Sequence, residues 1–259
     1  MGCGRSVSGG RPPDGAGDPL AAPVTQPGRD PQRIEALFDR IVPRYDLMNR
    51  LMTAGLDRRW RQMAAAAAAP PPGAPLLDAC CGTGDLSLAL RRRFPDSPVT
   101  GLDFSAAMLD RARDKAAANE AGPIEFVRGD VLTLPFDDGE FAAVTVGWGL
   151  RNVVDLASAF RELRRVTQPR GRVVVLEATR PAGAWARGFH AVWLERMVPL
   201  MGRVVTGERE AYAYLPDSVR SFPDAEALAA VMDAAGFERV RFSRFGLGAM
   251  ALHVGSVPA

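Results

Sequence analysis

The spacing of apolar positions changes character at residues 73–75. Before that point it is helical. Asp30-Pro31 pairs an N-cap with a proline at the first helical position, and Ile34, Leu37, Phe38 and Ile41 then recur at helical intervals. Pro43 is expected to stop this helix, Tyr45 to Met52 to form a second, and Leu56 to Ala69, with its alanine run, a third. Pro70-Pro71-Pro72-Gly73 closes the unit.

From Pro75 short apolar runs alternate with helical stretches. Strands are expected at Leu76–Ala79, Pro98–Asp103, Ile124–Arg128, Phe141–Val146 and Arg172–Glu177. Between them lie helices over Asp85–Arg93, Ser105–Asn119 and Asp155–Thr167. This alternation predicts an α/β fold, a doubly covered, mostly parallel sheet. After Glu177 the pattern turns helical to about Arg220. A helix over Asp224–Ala235, ended by Gly236, leads to two strands, Phe237–Phe245 and Leu247–Gly255, with Gly246 and Gly248 in the turn. A closing hairpin makes the last strand antiparallel. The expected organisation is a disordered tail over 1–30, an N-terminal helical lid over 31–73, and a core over 74–259 with a substrate-side helical insertion at about 180–222.

Composition narrows the function. The 259 residues are 47 % apolar, enough for one large domain, and the net charge of +2 is spread along the chain. No clustered basic face marks a nucleic-acid partner. The three cysteines, Cys3, Cys80 and Cys81, make neither a disulfide framework nor a C-x-x-C metal site, which fits a reduced cytoplasmic setting and no metal. No run reaches the ~20 apolar residues of a membrane span, and no signal-peptide core stands at the N-terminus. Met1-Gly2-Cys3-Gly4-Arg5-Ser6 fits a permissive myristoylation pattern and is read as coincidence. Lys115 is the sole lysine, a bias read as genome composition.

Asp78-Ala79-Cys80-Cys81-Gly82-Thr83-Gly84-Asp85 follows the first strand of the sheet, where doubly wound folds bind ligands. Gly82 and Gly84 permit a tight turn and close approach. Asp103, about 20 residues beyond Gly82, suits a carboxylate on a ribose diol. A dinucleotide fingerprint needs a third glycine where Ser87 stands, and acids on both sides of the loop oppose a pyrophosphate. S-adenosylmethionine, with a sulfonium, an ammonium and no phosphate, fits Asp78 and Asp85 better. Asp130, beside Val131, is placed to accept from an adenine amino group.

Other segments carry a resemblance. Phe38-Asp39-Arg40-Ile41-Val42-Pro43-Arg44-Tyr45-Asp46-Leu47-Met48-Asn49, Gly149-Leu150-Arg151-Asn152-Val153, the Tyr212-to-Val219 segment and Ala251-Leu252-His253-Val254-Gly255 resemble the C-methyltransferase family of demethylmenaquinone and ubiquinone biosynthesis. The likeness runs over about residues 32 to 256. It implies a class I methyltransferase fold, S-adenosylmethionine as cofactor, and C-methylation of a polyprenylated quinol. It maps cofactor contacts to Thr83, Asp103, Asp130 and Val131. Gly147 stands where some members carry serine, leaving a backbone contact there.

For the chemistry, the ring carbon is activated when the neighbouring hydroxyl ionises, against an ordinary phenolic pKa of about 10. The candidates are Arg151 to stabilise a phenolate, Asn152 to orient it, and Tyr45 and Asp46 from the N-terminal helices. Tyr212 and Tyr214 are candidates for a ring pocket. His253 is read as a packing residue, and Cys80 and Cys81 as small buried side chains. Trp185, Phe189, Trp193, Met197, Leu200 and Met201 recur at near-helical spacing among Arg187, Arg196 and Arg203. This face suits a prenyl tail, peripheral contact with the inner face of the membrane, packing on the sheet, or a second copy in a homodimer. Pro199 is expected to kink it or mark its last turn. Menaquinone and ubiquinone precursors both remain open as acceptors. So do methylation of another small molecule and a cofactor-binding regulator without turnover; a nicotinamide oxidoreductase is opposed by Ser87.

Overall fold

The structure, a computed structural model, describes residues 30–205, 207 and 209–259. The expected tail lies outside them except for Asp30, as do Cys3 and the myristoylation pattern.

Seven strands form one sheet: β1 (Leu76–Ala79), β2 (Val99–Asp103), β3 (Glu125–Arg128), β4 (Phe141–Gly147), β5 (Thr167–Ala178), β6 (Glu238–Phe245) and β7 (Met250–Ser256). Their order is β3-β2-β1-β4-β5-β7-β6. β1 to β5 run parallel, and β7 lies antiparallel between β5 and β6. The expected mostly parallel sheet with an antiparallel last strand is what forms. The chain leaves β1 toward β2 and β3, then returns to place β4 on its other side. That reversal opens a crevice at the carboxyl ends of β1 and β4.

Alternate residues of each central strand feed opposite cores. Leu77, Val144, Val173 and Val175 pack with Phe160, Leu163 and Phe237 on one face. Leu76, Ala143, Val174 and Leu176 pack with Trp60, Ala64, Ala65 and Leu90 on the other. Continuous apolar strands are what burial on both faces requires.

Helix α1 (Pro31–Met52) starts as expected, with the Asp30 carboxylate accepting the Gln32 N–H. It does not stop at Pro43, which stands inside it. The proline removes one backbone hydrogen bond. Burial of Leu37, Ile41 and Met48 against Val198 and Tyr212 on distant helices spans the proline and holds both halves in line. Tyr45 to Met52 is therefore the second half of α1, not a helix of its own. α2 (Asp57–Ala68) packs on the sheet, its alanines allowing close approach.

The remaining core helices are α3 (Asp85–Arg93), α4 (Ala106–Ala118, capped by Ser105) and α5 (Leu156–Arg165, capped by Asp155). The insertion holds α6 (Ala184–Val192), α7 (Val198–Val205) and α8 (Arg209–Ser221), before α9 (Ala225–Ala234). Between α6 and α7, Trp193–Met197 widens into a π-helical turn. Pro199 lies just beyond. Its ring would crowd the Glu195 carbonyl, and the wider turn makes room for it, so the proline is absorbed without a break.

Candidate active site

The loop after β1 turns through left-handed conformations at Cys80, Gly82 and Gly84 (φ 56°, 53° and 79°). Its amides face inward. Cys81 N–H donates to the Leu102 carbonyl and Gly84 N–H to the Cys81 carbonyl. Gly82 N–H donates to Asp103 Oδ2 at 2.8 Å. These donors are spent on the protein, so the loop offers no nest for a pyrophosphate. A Cβ on Gly84 would lie 3.0 Å from that of Ala112, so this glycine serves close packing on α4 and does not line the cleft.

Above the loop lies a cleft of about 390 Å³. Asp78, Gly82, Thr83, Asp103, Asp130, Val131 and Gly147 of the expected set border it. Asp103 also accepts the Ser105 N–H at 3.0 Å on Oδ1. Burial pushes its carboxyl up to about 6, against the pull of the Ser105, Gly82 and Phe104 amides. Asp78 is fully buried, and burial pushes it to about 7 although Ser87 and Thr145 donate to it at 2.6 and 3.1 Å. Ser87 thus fills the place of the missing third glycine as a donor to Asp78. Asp130 accepts the Leu132 N–H at 2.9 Å in a tight turn. With Leu102, Phe104 and Met108 opposite, that turn makes an apolar slot. Two buried acids, spent amides and an apolar slot suit a cationic nucleoside without phosphate.

A second cavity of about 340 Å³ lies between the end of α1, α2, α6, α8 and the β6–β7 turn. Met52, Trp60, Phe189, Trp193, Leu194 and Met250 make it apolar. Tyr45, Arg61 and Trp148 line both spaces and form the partition between them. Adjacent residues of the 3₁₀ turn Leu150–Asn152 face different sides, Arg151 the second cavity and Asn152 the cleft. Arg151 is buried, 2.9 Å from Glu177 and 2.5 Å from the Trp148 carbonyl. Asn152 Oδ1 accepts the Tyr214 hydroxyl at 3.2 Å. Burial raises Tyr45 above the usual phenol value, with Arg151, Asn49 and Arg61 pulling it back.

Of the other candidates, Asp85, Cys80 and Cys81 also border the cleft. Asp46 borders neither space; its carboxylate accepts from Thr83 Oγ1 at 2.6 Å and pairs with Lys115 at 2.9 Å. Asp85 sits 2.5 Å from Lys115. Burial would raise its carboxyl, but Arg61 and Lys115 outweigh that and hold it below the usual range. Tyr212 is buried among α1, α7 and α8. His253 packs in β7 with Nε2 2.8 Å from the Ala225 carbonyl. Burial drives the Cys80 and Cys81 thiols well above their usual value, as inert packing groups.

Four site residues escaped the sequence reading. Arg61 and Trp148 show no local pattern, and their meeting at the partition joins segments far apart in the chain. His190 lines the second cavity, and burial lowers its imidazole pKa, leaving it neutral at pH 7. Gly149 lets the loops after β1 and β4 touch, since a Cβ there would lie 2.3 Å from that of Cys80. The only available signal was Gly149's place at the head of the Gly-Leu-Arg-Asn-Val run.

A family model described as the ubiE/COQ5 methyltransferase family matches residues 27–257. A demethylmenaquinone methyltransferase of Thermus thermophilus is 45 % identical over 222 residues, 86 % of this chain and 100 % of that protein. One from Deinococcus radiodurans is 41 % identical over 85 % of this chain and 91 % of its own length. A ubiquinone/menaquinone biosynthesis C-methyltransferase of Desulfotalea psychrophila is 41 % identical over 86 % and 89 %. Among solved structures, a SAM-dependent methyltransferase of Thermotoga maritima shares the fold with a TM-score of 0.60 at 17 % identity, covering 86 % of this chain and 99 % of that one. A putative one from Methanococcus maripaludis gives 0.58 at 19 %, covering 86 % and 94 %.

Proposed function

The chain belongs to the ubiE/COQ5 methyltransferase family, and from that premise we propose that it C-methylates a polyprenylated quinol, demethylmenaquinol above all, with S-adenosylmethionine as donor. The observation that carries this reading is the partition: among the described residues, an acid-lined cleft and an apolar cavity share only Tyr45, Arg61 and Trp148. S-adenosylmethionine, when bound, supplies an electrophilic methyl group on its sulfonium. Asp103 takes the ribose hydroxyls, Asp78 balances positive charge, and Val131 and Leu132 flank the base beside Asp130. α1 serves as the lid over this cleft.

In the second cavity the quinol ring lies against Trp148. Tyr45, whose buried hydroxyl keeps its proton at pH 7, donates a hydrogen bond to a ring oxygen. His190 accepts the hydroxyl proton. Asp57 of the lining pairs with Arg61, and Glu177 behind it with Arg151, so neither carboxylate is free to serve as the base. The protein's contribution is position, charge and exclusion of water.

The prenyl tail leaves by an apolar mouth. Leu56, Phe189 and Leu247 line the cavity and are each exposed. Phe189 continues into Trp185 and Val192 on α6 and Leu200 and Val204 on α7, all exposed, among Arg187, Arg196 and Arg203. No helix of the described residues is long and apolar enough to cross a membrane. This face docks the protein peripherally on the bilayer that holds its substrate.

The test is single-turnover transfer from methyl-labelled S-adenosylmethionine to chemically reduced demethylmenaquinol, with the benzoquinol precursor of ubiquinone in parallel and Asp103→Ala as control. Label in menaquinol, lost in the control, is expected. Tight cofactor binding with no label in either quinol would overturn the acceptor assignment.

A further inference from the structure

Arg61 leaves α2 at the partition. It is buried, yet it borders both the cleft and the apolar cavity. Its guanidinium carbon lies 4.7 Å from the centre of the Trp148 ring. Trp148 itself is held in a left-handed backbone conformation at φ 58°, uncommon for a bulky residue, with its N–H donating to Leu176 at 2.8 Å and its carbonyl accepting from Arg151. The stacked pair is therefore anchored by β5 and by the turn after β4.

A guanidinium has five N–H donors in a planar fork. Arg61 spends Nη1 on Asp57, one turn earlier in α2. Nη2 stands 3.7 Å from Asp85, beyond hydrogen-bond reach, because Asp85 is drawn to Lys115 at 2.5 Å. Donors of Arg61 thus remain for a ligand. Arg151, the other guanidinium of the cavity, bonds Glu177 and the Trp148 carbonyl through Nη1 and, unlike Arg61, does not border the cleft.

We propose that Arg61 is a further catalytic residue: its free donors bind the ionised ring oxygen of the acceptor while the ring lies on Trp148 at the partition. This rests on the quinol reading above and adds the group that holds the anion. The O–H bond of the acceptor breaks with its proton passing to His190, and the negative charge stays on the oxygen facing Arg61. The site then selects acidic hydroxyarenes over neutral arenes of the same shape. A charged hydrogen bond of this kind corresponds to about a 10- to 100-fold preference.

The experiment measures binding, not turnover. The full-length chain is titrated with 4-nitro-1-naphthol, ionised at neutral pH, and with its neutral methyl ether. The expected result is at least about tenfold tighter binding of the anion. Arg61→Gln should abolish that preference while leaving affinity for the ether within about threefold, and Arg61→Lys should restore part of it. Equal affinity of the unaltered chain for both probes, or an anion preference that survives Arg61→Gln, overturns the proposal. An anion preference that depends on Arg61, in a protein that methylates neither quinol, would overturn the acceptor assignment and leave the anion site standing.

Discussion

The ammonium of Lys115 on α4 lies 2.9 Å from the carboxylate of Asp46 on α1, across 69 residues of chain. The same nitrogen reaches Asp85 at 2.5 Å and Thr83 Oγ1 at 3.1 Å. Three oxygens around one nitrogen suit a compact ammonium better than a planar guanidinium. In a chain otherwise supplied with arginine, this site holds the one lysine. Asp39 accepts from Ser105 at 2.7 Å and Glu35 pairs with Arg128 at 2.9 Å from the same side of α1. α1 is therefore fastened beside the cleft by polar contacts, which water can replace, while its apolar stripe packs on α7 and α8.

Lys115→Met should loosen that fastening. We expect a stability loss of about 1–3 kcal/mol, since the pair is only partly exposed. Bound cofactor should also dissociate several times faster, with little change in the rate once both substrates are seated. Stopped-flow displacement of S-adenosylhomocysteine reads the first effect and single-turnover transfer the second. An unchanged dissociation rate would show that α1 does not gate the cleft.

The acids of the cleft make cofactor binding depend on pH. Asp78 and Asp103 are pushed up to about 7 and about 6 by burial. Without ligand, each holds its proton more tightly in the folded than in the unfolded chain, so their part of the stability falls as pH rises from about 4 to 7. A cationic ligand favours the ionised acids. Its binding releases protons below pH 7, and affinity should climb by up to about tenfold per pH unit for each acid, then level off. Above about pH 8 the ligand's own ammonium begins to titrate. Calorimetry between pH 5 and 7.5, in buffers of differing ionisation heat, counts the protons released. Asp78→Asn should flatten the upper part of the rise and leave the part near pH 6. A flat affinity profile in the unaltered protein would remove both acids from the binding account.

These features differ in how far they can be read from the chain. Asp30-Pro31, the strand Leu76–Ala79 and the acid at Asp103 are local patterns of capping, period and spacing, and the structure has an element boundary at each. Pro43 misleads because its local cost is one backbone bond, while the packing of Leu37, Ile41 and Met48 that overrides it comes from residues more than 100 positions away. Lys115 shows only as an oddity of composition until Asp46, Thr83 and Asp85 are seen around it. Arg61 and Trp148 likewise gain meaning only where α2 meets the loop after β4.

Gly149 offers a sharper test of the crevice. A methyl group there would stand 2.3 Å from Cys80 Cβ and 2.9 Å from its sulfur, and Cys80 cannot retreat because it is in the left-handed region. Gly149→Ala should force the loops after β1 and β4 apart, with a stability loss of about 1–3 kcal/mol and a cofactor affinity at least about tenfold lower. Cys80→Gly in the same chain removes the clashing atoms and should recover most of the loss. Thermal unfolding and cofactor titration of the single and double variants decide it; an unaffected single variant would mean the two loops are not in register around the ligand.

The exposed face of α6 and α7 carries the last prediction. Trp185 and Val204 are each 76 % exposed and Phe189 53 %, and Phe189 belongs at once to that face and to the cavity lining. Such an apolar surface is kept in a protein when something covers it. The neighbouring arginines favour an anionic bilayer, and the cavity mouth opening beside it matches a substrate whose tail stays in lipid. Sedimentation with vesicles containing anionic lipid should recover the protein, and added salt should weaken that recovery. Trp185→Asp with Val204→Asp should reduce vesicle binding by at least about tenfold and raise KM for vesicle-borne quinol, while a short-tailed quinol in detergent is methylated as before. If the substituted chain binds vesicles unchanged but loses a dimer seen by ultracentrifugation, the face belongs to a second copy and the membrane assignment falls.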